Sequence, residues 1–174
     1  MGNINDPNII SFDECSVEVN MQNNYGWSNK GQPCLKRFHP FRKRLSLALA
    51  INREGVVGYS LISNTFNGER FENFLAEHIF PTNKNKKILL DNFRAHKSKI
   101  VTESINKTNN KFVFNIPYNP QTNPVEYIFS IIKRKLSNKK VNNEDTLRKM
   151  ISQIIEKIPK RIFNNCFNKS FGLL

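Results

Sequence analysis

The hydrophobic period of this chain changes from two to about 3.6 partway along, and that change limits what it can fold into. Leu45, Leu47, Leu49 and Ile51 alternate with smaller or polar residues, the apolar face of a strand over residues 45–52. Arg53-Glu54-Gly55 then turns the chain back into an antiparallel partner, Val56 to Ser63. From Asn67-Gly68-Glu69 onward the spacing is helical, with Phe71, Phe74, Leu75, His78 and Ile79 on one side, until Pro81-Thr82-Asn83 ends the run. A short, almost wholly apolar strand follows, Lys87 to Asp91, of the kind covered on both faces. After it come a helix from about His96 to Asn106, a strand Lys111 to Ile116, a loop Pro117 to Asn123 and a helix from Pro124 to about Leu136. A last amphipathic helix, about 144–158, carries the stripe Leu147, Ile151, Ile154, Ile155 and Ile158. Ahead of all of these, Ile9 to Asp13 predicts the first strand, with a break near Cys15 before a further extended segment, Ser16 to Asn20.

Antiparallel strands first and alternating units afterwards predict an α/β fold: a mixed five-stranded sheet with helices on both faces. The 174 residues suffice for one domain, 1–174, with the 144–158 helix packed on it. Sites in open α/β sheets lie at the carboxyl ends of strands, and Asp13 and Asp91 both close apolar runs.

Lys and Arg number 27 against 14 Asp and Glu, a formal net charge of +13. Such an excess points to a polyanion partner, nucleic acid before an acidic membrane surface. Cys15, Cys34 and Cys166 stand far apart with no CxxC pair, which suits a reducing compartment and carries no zinc signal. No stretch reaches the length of a membrane span and no signal-peptide core is present, so the expectation is an intracellular protein, nuclear in a eukaryote and otherwise in the cytoplasm or nucleoid.

Asp13, Asp91 and Glu126 are the candidate catalytic and metal-ligating residues. Three convergent carboxylates suit hard cations such as Mg²⁺, and two such ions support in-line phosphoryl transfer. Each acid also has a structural reading. Asp91 precedes a helix and fits a turn or cap. Glu126 follows Asn123 by three residues, the spacing of a capping box. Asp13 has Glu14 beside it, and strand register decides which of the two faces a site. The helix after Pro124 keeps Val125, Ile128, Phe129, Ile132 and Leu136 on one stripe and Glu126, Ser130, Lys133 and Ser137 on another, so Lys133 shares the face of Glu126. Lys133 and Arg134 read equally as phosphate contacts or as a solvated basic face.

Three blocks carry a resemblance. Ser11-Phe12-Asp13-Glu14, Leu89 to His96, and Ile116 to Glu126 with its Asn123-Pro124-Val125-Glu126 resemble the catalytic domain of the DDE-superfamily transposases, in the mariner-like group and its bacterial insertion-sequence relatives. The 34 residues between Asp91 and Glu126 are a spacing that family uses, and Gly26-Trp27-Ser28-Asn29-Lys30-Gly31 is similar as well. The resemblance covers roughly residues 8–140. It implies a ribonuclease-H-like fold, with Asp13, Asp91 and Glu126 holding two Mg²⁺ or Mn²⁺ ions for phosphodiester hydrolysis and strand transfer on DNA. It implies as partners DNA, both element ends and target, with no membrane, and a homo-oligomer assembled on that DNA. Lys36, Arg37, Arg42, Lys43, Arg44, His96, Lys133 and Arg134 are the candidate DNA contacts; His96 also reads as a capping or surface residue. Trp27 fits either a stacking platform for an unpaired base or a hydrophobic lid on the sheet edge. Relatives carry an N-terminal helix-turn-helix region, for which the first strand leaves no room here, so DNA binding with little sequence preference is expected. The rival readings are an inactive or domesticated DNA-binding remnant and another ribonuclease-H-like nuclease.

Overall fold

The computed structural model describes residues 6–18, 26–35, 44–63, 65–116, 119–137, 139, 141 and 143–172. Its five strands are β1 (Ile9–Glu18), β2 (Arg44–Asn52), β3 (Gly55–Ile62), β4 (Lys87–Leu90) and β5 (Lys111–Phe114). They form one sheet in the order β3-β2-β1-β4-β5. β1 is the centre: antiparallel to β2, parallel to β4, which is in turn parallel to β5. The helices are α1 (Gly68–Phe74), continued by a π-helical stretch Leu75–Ile79, then α2 (Lys99–Asn106), α3 (Pro124–Leu136), α4 (Glu144–Glu156) and α5 (Lys160–Ser170).

Each face of the sheet has its own apolar core, which is the mixed sheet with helices on both faces that the period change predicts. Leu45, Leu47, Leu49 and Ile51 of β2 pack with Val17 against Val125, Phe129, Ile151 and Phe167 of α3, α4 and α5. The other face joins Ile10, Phe12, Ile88 and Leu90 to Phe71, Phe74, Val101 and Ile105 of α1 and α2. Ala48 and Ala50, the intervening β2 positions on that second face, are small and buried. The hairpin between β2 and β3 closes on Asn52, whose Oδ1 accepts from the amides of Glu54 and Gly55 at 2.9 Å each. Gly55 sits there at φ +155, inside the range that glycine tolerates best. Arg148 on α4 donates to the Leu61 carbonyl of β3 at 2.5 Å, tying helix to strand.

Several sequence expectations are corrected here. No break occurs at Cys15: Cys15, Ser16 and Val17 pair with Leu47, Ser46 and Leu45, so β1 runs unbroken through Glu18 and Asp13 lies mid-strand. β5 stops at Phe114 rather than Ile116, because the Ile116 amide turns onto the Asn115 side chain (2.9 Å). His96 falls in a 3-10 turn, Arg94–Lys97, and the helix proper starts at Lys99. α4 ends at Glu156, before Ile158, since the residue ahead of a proline is pushed out of helical geometry. The chain then enters α5, which was not expected; Phe163, Cys166 and Phe167 are its buried stripe.

Candidate active site

β4 ends at Leu90 while β1 runs on beside it to Glu18, and the sheet opens at that point. Ser11 is level with Leu89 in the parallel ladder. Two residues further along both strands lie Asp13 and Asp91, brought alongside by register alone. The third wall is the start of α3. Asp13, Asp91 and Glu126 line one cleft of about 400 Å³ together with the exposed apolar side chains of Phe93 and Ile116.

Strand alternation divides the two neighbouring acids. Asp13 faces α3, where its Oδ2 accepts from Asn123 Nδ2 at 3.1 Å; its Oδ1 accepts from the Glu14 amide at 2.8 Å. Glu14 faces the α1–α2 side, where its Oε2 meets His96 Nε2 at 3.2 Å. Asp91 does hold a turn, its Oδ1 accepting from the Phe93 amide at 2.9 Å. It also faces the cleft. The capping-box geometry for Glu126 does not form: among the described residues no hydrogen bond engages its carboxylate, and the Val125 amide is taken by Ser11 Oγ at 3.0 Å.

Burial, and then the charges close by, govern the protonation of these acids. Burial pushes Asp13 up to about 8, with the negative charges of Glu14, Asp91 and Glu126 adding to it. Burial also raises Glu126, and Asp91 adds to that, while nearby Lys133 opposes. Asp91 goes the other way: burial would raise it, but His96, the Phe93 amide and Lys97 together hold it below the ordinary carboxylate value. Burial alone would depress His96, yet its contacts with Asp91 and Glu14 bring it to about 9. His96 Nδ1 lies 2.9 Å from Asp91 Oδ1, with the N–H off the line of centres, so this is an ion pair and not an aligned hydrogen bond. The Glu14–His96–Asp91 bridge is thus a cation between two acids, tying β1 to the end of β4.

The donor set fits a hard divalent cation. All three cleft acids offer oxygen, and a positive ion would offset the burial and the neighbouring negative charges that keep Asp13 protonated. Among the described residues, no three His, Cys, Asp or Glu side chains are drawn together closely enough to hold a metal ion by themselves. The acids line an open cleft, in which substrate phosphate and water would have to complete the shell of any ion they held.

The remaining sequence candidates divide. His96 is not a DNA contact: its side chain is 0% exposed, walled in by Phe12, Phe71 and Phe93. Lys133 is half-buried near the site and Arg134 exposed. Arg44 is exposed and pairs with Glu18 across β1–β2. Lys36, Arg37, Arg42 and Lys43 lie outside the described residues. Trp27 is fully exposed and does not serve as a lid on the sheet. Sequence reasoning missed the parts played by Glu14, Ser11 and Asn123; a buried serine inside the apolar run Ile9 to Phe12 was the available signal.

The profile of a family described as DDE superfamily endonuclease matches residues 8–148. Among solved structures, the Mos1 transposase paired-end complex with left transposon end superposes at TM-score 0.81 and 18% identity, over 95% of this chain and 53% of that one. A Mos1 mariner paired end complex with Mn gives 0.79 and 18%, over 96% and 53%. The catalytic domain of Mos1 mariner transposase gives 0.72 and 16%, over 95% and 78%. These likenesses establish the ribonuclease-H-like fold expected from the sequence. The chain spans about half the length of the first two Mos1 chains. No curated protein sequence matches it.

Proposed function

The chain belongs to the DDE superfamily of endonucleases, and from that footing we propose that it is a DNA transposase catalytic domain, cutting and joining phosphodiesters with divalent metal. The observation that carries this reading is the cleft in which Asp13 from β1, Asp91 from the end of β4 and Glu126 from the first turn of α3 meet, with Asp13 held in its protonated form by burial and by the neighbouring acids. Asp13, Asp91 and Glu126 would hold two Mg²⁺ or Mn²⁺ ions. The chemistry such ions supply when bound is Lewis acidity at the attacking and leaving oxygens of an in-line displacement.

The protein's own contribution is positioning and charge. His96 keeps Asp91 ionised and anchored to β1 through Glu14. Lys133, whose charge reaches Glu126, would contact the DNA backbone beside the cleft. Water, and then a DNA 3′-hydroxyl, are the nucleophiles of the two steps, with no covalent protein intermediate. The net charge of +13 favours polyanion approach without base readout. The solved Mos1 complexes contain transposon ends; by that likeness DNA ends are the substrate here, and a homo-oligomer on DNA the working form. Among the described residues no helix is long and apolar enough to cross a membrane, and an intracellular site of action follows from the substrate.

A nicking assay on supercoiled plasmid with Mg²⁺ or Mn²⁺ tests the reading. Asp91→Asn is expected to abolish nicking while leaving the protein folded, since Asp91 is half-exposed. Full activity in that variant would overturn the assignment.

A further inference from the structure

We propose that Asn123 is a positioning residue of this site, orienting Asp13 and locking the helix that carries Glu126 to the same strand. This rests on reading those acids as the metal-holding groups. The argument follows the protons. The Val125 backbone N–H can only donate, so at 3.0 Å it makes Ser11 Oγ an acceptor. The Ser11 hydroxyl proton is then free to go to Asn123 Oδ1, 2.6 Å away. With its oxygen committed to Ser11, the Asn123 carboxamide must turn its Nδ2 the other way. There Nδ2 donates to Asp13 Oδ2 at 3.1 Å, with the Phe12 carbonyl at 3.5 Å. The relay therefore runs in one direction, from the helix amide through serine and asparagine, and ends on the acid.

Burial makes the arrangement exacting. Ser11 is 0% exposed, Asn123 1% and Asp13 9%, so none of these groups has water as an easy alternative partner. Pro124 has no N–H, so the Val125 amide is the first free donor of α3, and it is satisfied by a serine of β1 instead of by the helix's own cap residue. Asn123, though at the N-cap position, makes no side-chain cap bond to its helix. Its carboxamide is spent wholly on β1. The rotation of α3, and with it the direction of Glu126 in its first turn, is thereby referenced to the strand bearing Asp13.

The test uses Mn²⁺ alone as probe and reads the concentration giving half of the metal-induced rise in melting temperature. Groups that orient metal ligands typically change affinity by about 10–100-fold when removed, so Asn123→Ala is expected to raise the Mn²⁺ midpoint by that factor. Ser11→Ala, which touches no cleft acid, is expected to raise it severalfold by freeing the carboxamide. The double variant is expected to match Asn123→Ala alone. A structural role only would lower the metal-free melting temperature and leave each midpoint within about twofold of wild type, overturning the proposal. Should Asn123→Ala fail to fold, an unmoved midpoint in Ser11→Ala overturns it equally. A wild-type protein with no Mn²⁺ response would sink the reading of the acids itself, whereas a wild-type response with unmoved variants sinks the positioning role alone.

Discussion

Replacing Asp13 by asparagine separates the charge of the site from its shape. In the metal-free protein Asp13 keeps its proton up to about pH 8, against an ordinary value of 3.8, because burial and the neighbouring carboxylates disfavour ionisation. The unfolded chain gives up the same proton near the ordinary value. Between the two values the folded state binds one proton more than the unfolded, so stability falls as pH rises and levels off above about 8. At about 1.4 kcal/mol per pH unit, the decline from pH 5 to pH 8 amounts to about 4 kcal/mol. The variant carries no such proton. What it loses is an acceptor, since Asp13 uses one oxygen for the Glu14 amide and the other for Asn123, and a carboxamide offers only one; that loss costs about 1–2 kcal/mol. Asp13→Asn is therefore expected to be the less stable protein below pH 3.8, by about 1–2 kcal/mol. It is expected to draw level near pH 5, as the wild type loses its first increment, and to be the more stable at pH 8, by about 3–4 kcal/mol. Urea unfolding in EDTA at several pH values between about 3.5 and 8.5 measures the crossing. His96 titrates in the same range, but it is common to both proteins and drops out of the difference. A variant weaker by one constant amount at every pH would refute the crowding argument.

Two further outcomes are expected. His96 is charged up to about pH 9, above its ordinary 6.5, so its bridge between Glu14 and Asp91 stabilises fully below pH 6.5 and fades as pH rises through 9. His96→Gln should accordingly cost about 3 kcal/mol at pH 6 and clearly less at pH 9.5; equal losses in thermal melts at both would remove the ion pairs from the account. Phe129, 1% exposed beneath the sheet, should cost about 3–5 kcal/mol as Phe129→Ala, and a urea midpoint little changed from wild type would contradict its place in that core.

The hairpin of β2 and β3 was legible because alternation persists over eight residues and ends on Asn52 and Gly55. β1 was misread at the position where it matters most. Asp13 occupies the phase of Cys15 and Val17, both of which face the helices α3 to α5, and an acid there looks like the end of an apolar run. Local pattern fails where function overrides it. α5 escaped notice because its stripe is brief and set among Asn and Lys residues. His96 stands between Ala95 and Lys97 and reads as surface; its burial depends on Glu14, 82 residues away, and its role on a partner that no local pattern contains. The same holds for Asn123, whose link to Asp13 spans 110 residues. The motifs singled out three acids that share one cleft, but not the buried groups that contact them.

The central place of β1 has a consequence for how the chain is made. Its antiparallel neighbour β2, with β3 beyond it, arrives early, within the first 62 residues, yet Ile9 to Ser11 must wait for Lys87 to Leu89 as parallel partners. The leucine face of β2 waits longer, for Phe129, Ile151 and finally Phe167. At about 5–20 residues per second, the meander would stand half-covered for several seconds or more while the later helices are still inside the ribosome. A nascent sheet with one bare apolar face is a substrate for chaperones and for aggregation. Expression yield should therefore respond to translation speed and chaperone supply more than to changes in the cleft.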